Sequence, residues 1–528
     1  MKNLSLFALL FICPSVVFGQ FQPEPDPFRI NMLGCIRQYD PAPALASYPP
    51  LNSDLTLWIG DNIYADTQTD SSIIRKSYEQ LASFKAFQKL KAETRFLVTW
   101  DDHDFGDNNE GRHYSLKEQS KEIFRDFWEL KDKIPADRDG IYNSQRVQVH
   151  DHTVQFIMLD TRYNRDDVNP HGSGDVLGEN QWAWLQKELK KTADLRFIAS
   201  GFQILLNKEN GSETWMKFPN AHKRLMETIK KSGAEGVVFL TGDQHYAEVN
   251  RMPNALDYDA IALQFASVNQ IEDPENNIYR VSTVAASKHT YAYIDLFLGN
   301  YEEDQRYILF TVKSHETGET EVSYRVNVNE LYRNIDITGA RKFKDSTTIT
   351  FNHDFSHLHL YYTINGKQPS ASSRKVNLKQ EIIVDSTTTI KAALFDNEGN
   401  RRSKVYTYNV EKLLPLAPVQ IEQDKLTNGL RYLYTEGEYD LIPDFSNEAI
   451  KKNGVATAFD PETIALQDDH YAIRYKGYIH IEKDGLYTFF TRSDDGSRLY
   501  ISDQLVVDND GSHSEITREG IILLQKGY

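Results

Sequence analysis

Cysteine is scarce in this chain: 528 residues carry two, Cys13 and Cys35. Cys13 lies in an apolar leader, so the rest of the chain keeps one thiol, which excludes an intrachain disulfide framework. A lone thiol in an oxidising compartment is expected to be buried or bound, which makes Cys35 a candidate metal ligand. Basic charge is also short. Lys and Arg total 59 against 76 Asp and Glu, a net charge of -17. Neutralising phosphates needs clustered basic residues, so no nucleic acid is expected as a structural ligand, and cations are the more natural partners. No Gly-rich Walker or Rossmann loop follows an early strand, so nucleotide cofactors are not implied. Gly172–Gly174 lacks the flanks of a nucleophile elbow and reads as a loop. No apolar run reaches the ~20 residues that cross a bilayer, so no transmembrane helix is expected in the mature chain.

What is present is an ordinary folding composition, 40% hydrophobic and 12% aromatic. The length exceeds what one core covers, which predicts several domains. Residues 1–19, MKNLSLFALLFICPSVVFG, combine one Lys, a short apolar run and a small terminal residue. They read as a signal peptide, which implies a periplasmic, cell-surface or extracellular destination.

From about 28 to 245, apolar runs (LTLWIG, RFLVTW, VQFIMLD, LRFIAS, GVVFLTG) alternate with helix-like segments (SSIIRKSYEQLAS, KEQSKEIFRDFWEL, NQWAWLQKELKK). That alternation predicts a layered α/β domain. The β runs between 259 and 328 are expected to complete a second sheet, closing a domain over 28–330. A polar stretch at 329–345 reads as a linker. Short strands with turn punctuation then predict a β-sandwich over 346–411, and a further β unit over 424–528 whose pattern stops abruptly at KGY, as if incomplete.

Several strand-like runs end in acidic or polar clusters, and residues at the carboxyl ends of sheet strands converge on one rim. GDNIY places Asp61 and Tyr64 on one turn; WDDHDFGDN crowds Asp101, Asp102, His103, Asp104, Asp107 and Asn108; TGDQH supplies Asp243 and His245. Like charges side by side are costly to bury without cations, so a shared metal centre is expected. Arg162 in LDTR is read either as a clamp on a phosphate oxygen or as half of a structural salt bridge.

Taken in order, Cys35 in GC, GDNIYAD, WDDHDFGDN, LDTR and TGDQH resemble the PhoD-type alkaline phosphatase family, over roughly residues 28–330. The resemblance implies a calcineurin-like four-layer αββα sandwich that hydrolyses phosphate mono- or diesters with a metal-activated hydroxide. It further implies ferric iron held by Cys35, Asp61, Tyr64, Asp243 and His245, with Asp61 bridging to calcium and Asp102 and Asn108 on the calcium side. His103 is then expected beside the scissile phosphate. Thiolate and phenolate suit ferric iron while carboxylate and amide oxygens suit calcium; zinc or another divalent metal is the alternative.

The segment LHLYYTINGKQPSASS with TTTIKAALFDNEGNRRS resembles the chitobiase carboxyl-terminal domain, a spacer in most settings. The last unit is similar to protective-antigen-like β domains, some of which bind glycans through calcium held by paired aspartates; Asp494 and Asp495 occupy the comparable motif. The other reading of SDDGS is a simple hairpin turn. A second functional class stays open on these modules: a surface glycan-binding or adhesive protein whose phosphatase-like domain is inactive.

Overall fold

The computed structural model describes residues 8–9, 27–39, 52–169, 171–207, 213–265, 267–286, 289–299, 305–377 and 380–528. Apart from Ala8 and Leu9, the expected signal peptide lies outside the described residues.

Two six-stranded sheets face each other. The first is built from β1 (Phe28–Leu33), β2 (Leu55–Ile59), β3 (Arg95–Thr99), β10 (Thr290–Phe297), β11 (Tyr307–Ser314) and β12 (Thr320–Asn327), in the order β12-β11-β10-β1-β2-β3. The second is built from β4 (Asn143–Val149), β5 (His152–Met158), β6 (Leu195–Ser200), β7 (Val237–Thr241), β8 (Glu248–Met252) and β9 (Ala260–Gln264), in the order β4-β5-β6-β7-β9-β8. Strands β1, β2 and β3 run parallel, as do β5, β6, β7 and β9. Their near-continuous apolar sequences follow from this position, because β2 and β7 are buried at every residue. The β runs between 259 and 328 divide between the sheets: IALQFAS supplies β9 of the second, while AYIDLFL, RYILFTV and EVSYRVNV supply β10–β12 of the first.

Helices cover both outer faces. Helix α1 (Ser71–Ser83) starts where the Asp70 carboxylate accepts from the Ser72 N–H, and it buries Ile74, Ser77, Tyr78 and Leu81 on one stripe. With α2 (Lys85–Glu93) and α4 (Lys117–Phe127) it packs an aromatic cluster of Phe87, Phe127 and Trp128 against Trp58 of β2 and Phe96 of β3. On the second sheet lie α5 (Glu179–Leu189) and α6 (Pro219–Ser232), the latter opened by a proline in its first turn and closed by left-handed Gly233. The layers are therefore α, β, β and α around one continuous apolar core from Ile30 to Leu331.

The stretch read as a linker is packed. Leu331 and Ile335 are buried, and Arg333 is only 1% exposed. Its guanidinium pairs with Asp257 at 3.2 Å and donates to the Arg402 carbonyl at 3.0 Å. Glu235, just before β7, accepts from the Arg333 N–H at 2.8 Å and the Lys404 N–H at 2.6 Å. Arg333 thus centres a buried joint with the first domain, while Asn334, Asp336, Thr338 and Arg341 of the same stretch stay exposed.

Beyond it, sheets of three and five strands enclose a second core from Ile335 to Val410. Residues 430–524 form further β-sheets around two small cores. No helix among the described residues is long and apolar enough to cross a membrane.

Candidate metal centre

The parallel strands of both sheets end on the same rim. There the Thr99 hydroxyl donates to the Leu159 carbonyl at 2.7 Å, joining one sheet to the other. Each of β1, β2 and β7 is followed by one glycine and then by a candidate ligand: Gly34–Cys35, Gly60–Asp61 and Gly242–Asp243. The glycines allow close approach, since a Cβ on Gly60 would stand 2.6 Å from that of Asp101 and one on Gly242 would stand 2.8 Å from the Ile59 carbonyl oxygen. The residues after them take left-handed backbone, with φ of 49° at Cys35, 47° at Asp61 and 68° at Asp243. Non-glycine residues adopt this region at a cost, and such strain concentrates at functional sites.

The turns bring the side chains together. The Cys35 Sγ lies 3.7 Å from Asp61 Oδ2, the Tyr64 hydroxyl lies 3.3 Å from the same oxygen, and His245 Nε2 lies 3.3 Å from the Tyr64 hydroxyl. Donor atoms bound to one ion at roughly 2.0–2.3 Å stand about 3–4 Å from one another, so these spacings suit a shared cation. Three groups of donors fall within 4.8 Å: Cys35, Asp61 and His245; Asp61, Asp102 and His103; Asp101, Asp102 and Asp243. Asp61 belongs to two of them, between the thiol and the carboxylates. Asp243 meets Cys35 through its carbonyl oxygen and meets Asp101 and Asp102 through its carboxylate. Asn108 lines the cleft above.

Electrostatically the carboxylates of the cluster outnumber the cationic groups beside them, Arg162 and His103. Burial pushes Asp61 well above the usual carboxylate range, and Asp102, Asp101, Asp104 and Asp243 add to the rise. Asp243 rises for the same reasons, burial first and then Asp101 and Asp102. Burial also lifts the Cys35 thiol and the Tyr64 phenol, reinforced by the neighbouring carboxylates. Asp102 is the exception: although burial opposes ionisation, Arg162, His103 and the Asn109 N–H hold it down at about 2. A cation among these groups would reverse the penalty and favour their anionic forms. The donor set therefore fits bound metal.

The acidic run divides by role. Asp102 faces the cluster, whereas Asp104 turns inward, accepting from the Asn62 side chain at 2.6 Å and the Asp101 N–H at 2.7 Å. It thereby forms a capping box with Asp101 on the short helix α3 (Asp102–Phe105). His103 packs against Tyr64 with ring centroids 4.1 Å apart and planes tilted by 31°, and pairs through Nδ1 with Asp66 at 2.5 Å. Burial disfavours its charge, but Asp66 and Asp102 outweigh that and raise its pKa.

Arg162 does not reach the cleft, which corrects its reading as a phosphate clamp. It is 0% exposed and is held by Asp101 at 2.5 Å, Glu213 at 2.6 Å and Asp102 at 3.7 Å, the salt-bridge alternative. Arg37 and Arg165 line the cleft instead, a space of about 620 Å³. Asp66, Glu213, Gln270 and Glu272 also line or support the site without a signal of their own in the sequence, Asp66 alone falling inside a motif, GDNIYAD. Asp494 and Asp495 lie elsewhere, in the turn after Gly485–Ser493, where Asp495 accepts from the Ser512 hydroxyl and the His513 N–H, each at 3.2 Å.

Three segments of the chain match models of known domain families. Residues 39–295 match the model of the PhoD-like phosphatase family, residues 338–407 that of the chitobiase/β-hexosaminidase C-terminal domain, and residues 428–528 that of the PA14 domain. Alkaline phosphatase D of Bacillus subtilis (strain 168) is 27% identical over 244 residues, covering 36% of this chain and 41% of that protein. The chain thus spans less than half the length of this relative. A solved PhoD structure covers 73% of both chains at 14% identity with a TM-score of 0.41, and Vps29 of Chaetomium thermophilum covers 57% of this chain and 96% of its own at 11% identity with a TM-score of 0.23. The chain therefore carries, in order, a PhoD-like phosphatase domain, a chitobiase/β-hexosaminidase C-terminal domain and a PA14 domain.

Proposed function

We propose that this protein is an exported, metal-dependent phosphoesterase acting on phosphate mono- or diesters. The observation that carries the reading is the convergence of Cys35, Asp61, Tyr64 and His245 with Asp102 and Asp243 at one rim of the two sheets, at the floor of an open cleft. Ferric iron suits the thiol, phenol and imidazole side, where Cys35, Asp61, Tyr64, Asp243 and His245 would hold it. Calcium suits the oxygen side, with Asp61, Asp102 and Asn108. Bound there, the cations would supply an activated nucleophile and absorb the charge that develops on the phosphoryl oxygens.

The chain's own groups do the rest. Asp66 occupies Nδ1 of His103, which leaves Nε2 as the ring nitrogen for a substrate oxygen and favours the protonated ring. Protonated His103 would steady the transferred phosphoryl group or give its proton to the leaving oxygen. Arg37 and Arg165 on the cleft wall would orient the negatively charged ester. The adhesive alternative predicts eroded metal ligands, whereas every expected ligand type is present.

The test is hydrolysis of matched chromogenic mono- and diesters by the full chain, with metal analysis and a chelator control. Chelator-sensitive turnover with iron and calcium bound is expected. Full metal occupancy without cleavage of either ester would sink the proposal.

A further inference from the structure

The segment after β9 reaches back to the ligands on three other turns. The Ser267 hydroxyl donates to the Cys35 carbonyl at 2.9 Å, and Asn269 brackets Arg37 by accepting from its N–H and donating to its carbonyl, each at 3.0 Å. Gln270 is buried; its amide nitrogen donates to the Cys35 carbonyl at 3.3 Å and to the Tyr64 hydroxyl. Two residues on, the Glu272 carboxylate lies 3.2 Å from His245 Nδ1, while His245 Nε2 faces the Tyr64 hydroxyl at 3.3 Å.

We infer that Gln270 and Glu272 are positioning residues of the metal centre, Gln270 acting on the Tyr64 oxygen and Glu272 on the His245 ring. This rests on the metal-dependent reading above. An imidazole has two nitrogens, and a carboxylate on Nδ1 fixes the tautomer that leaves the Nε2 lone pair for a cation. It also holds the ring plane, so the nitrogen does not have to be ordered when metal arrives. The amide of Gln270 does the corresponding work on oxygen: its N–H occupies one lone pair of the Tyr64 oxygen and stabilises negative charge there. Because the same segment clamps the backbone of Cys35, one short loop aligns thiol, phenol and imidazole donors from three turns.

The test uses cobalt(II), whose absorption reports ligand geometry, titrated into the metal-free full chain. Glu272→Ala and Gln270→Leu are each expected to weaken cobalt binding by roughly 10–100-fold and to shift its visible bands, as loss of an outer partner does. Glu272→Gln, which keeps an oxygen acceptor for the Nδ1–H, should recover part of the loss. The unfolding midpoint of the metal-free Glu272→Ala chain should match wild type. Wild-type affinity and spectrum in both variants would overturn the inference, as would a wild-type chain that takes up no cobalt. Wild-type ester hydrolysis, measured in parallel, separates the two readings: cobalt uptake that depends on Glu272 without hydrolysis of either ester supports the positioning role and sinks the phosphoesterase.

Discussion

The Cys35 thiol donates to the carbonyl oxygen of Asp243 across 3.9 Å, joining positions 208 residues apart at the ends of strands in different sheets. Cys35 is wholly buried, so its replacement by a smaller side chain leaves the surface untouched. Cys35→Ala should retain the fold and lose metal affinity on the order of 100-fold or more, since a direct ligand matters at least as much as an outer partner. Metal analysis beside circular dichroism checks this; wild-type metal content with normal turnover would refute the ligand assignment.

His103 and Asp66 should separate chemistry from metal binding. His103→Ala is expected to keep its metals and lose roughly 10²–10⁴-fold in kcat, the usual worth of a proton donor or acceptor. Asp66→Asn should lose less, because the ring stays in place. If His103→Ala arrives without metal, its role is coordination.

The joint between the first two domains should behave as core. Removing one partner of a buried ion pair costs roughly 3–5 kcal/mol, so Arg333→Ala should lower the unfolding midpoint clearly. Limited proteolysis of the wild type should spare residues 329–345, while the variant is cut there. Equal resistance in both would show that the joint contributes little.

Acid stability should depend on His222 of α6. Burial pushes its pKa down from 6.5 to about 4, against a smaller opposing hydrogen bond that the ring donates to the Ile204 backbone. The folded state thus binds this proton less readily than the unfolded chain. Its contribution is full above pH 6.5 and is lost as the pH falls through 4, about 3 kcal/mol in all. His222→Leu should therefore lose less stability than wild type between pH 7 and pH 4 in urea titrations; parallel losses would contradict the burial argument.

The α/β layering and the candidate metal-ligand rim were legible because both are local signals: an apolar run, a glycine, then an acid or thiol. What escaped was set by partners distant in sequence. Arg162 reads in sequence as a clamp or as half of a salt bridge, and Glu213, distant in sequence, decides for the salt bridge. Gln270 and Glu272 sit in a loop with no periodicity, and their meaning lies in Tyr64 and His245. Arg333 looked like linker because its anionic partners, Asp257 and Glu235, belong to the first domain. Asp104 carried the same chemistry as Asp102, and only the backbone of α3 decided that it caps a helix.

The glycines before the candidate ligands also bear on how sequence variation in this protein should be interpreted. At Gly60 and Gly242 any side chain would collide with neighbouring atoms. A saturation screen for activity would therefore score these two positions as severely as the ligands, although neither has a side chain with which to bind anything. Intolerance to substitution along this rim maps crowding together with chemistry, and metal retention in each failed variant is what would sort one from the other.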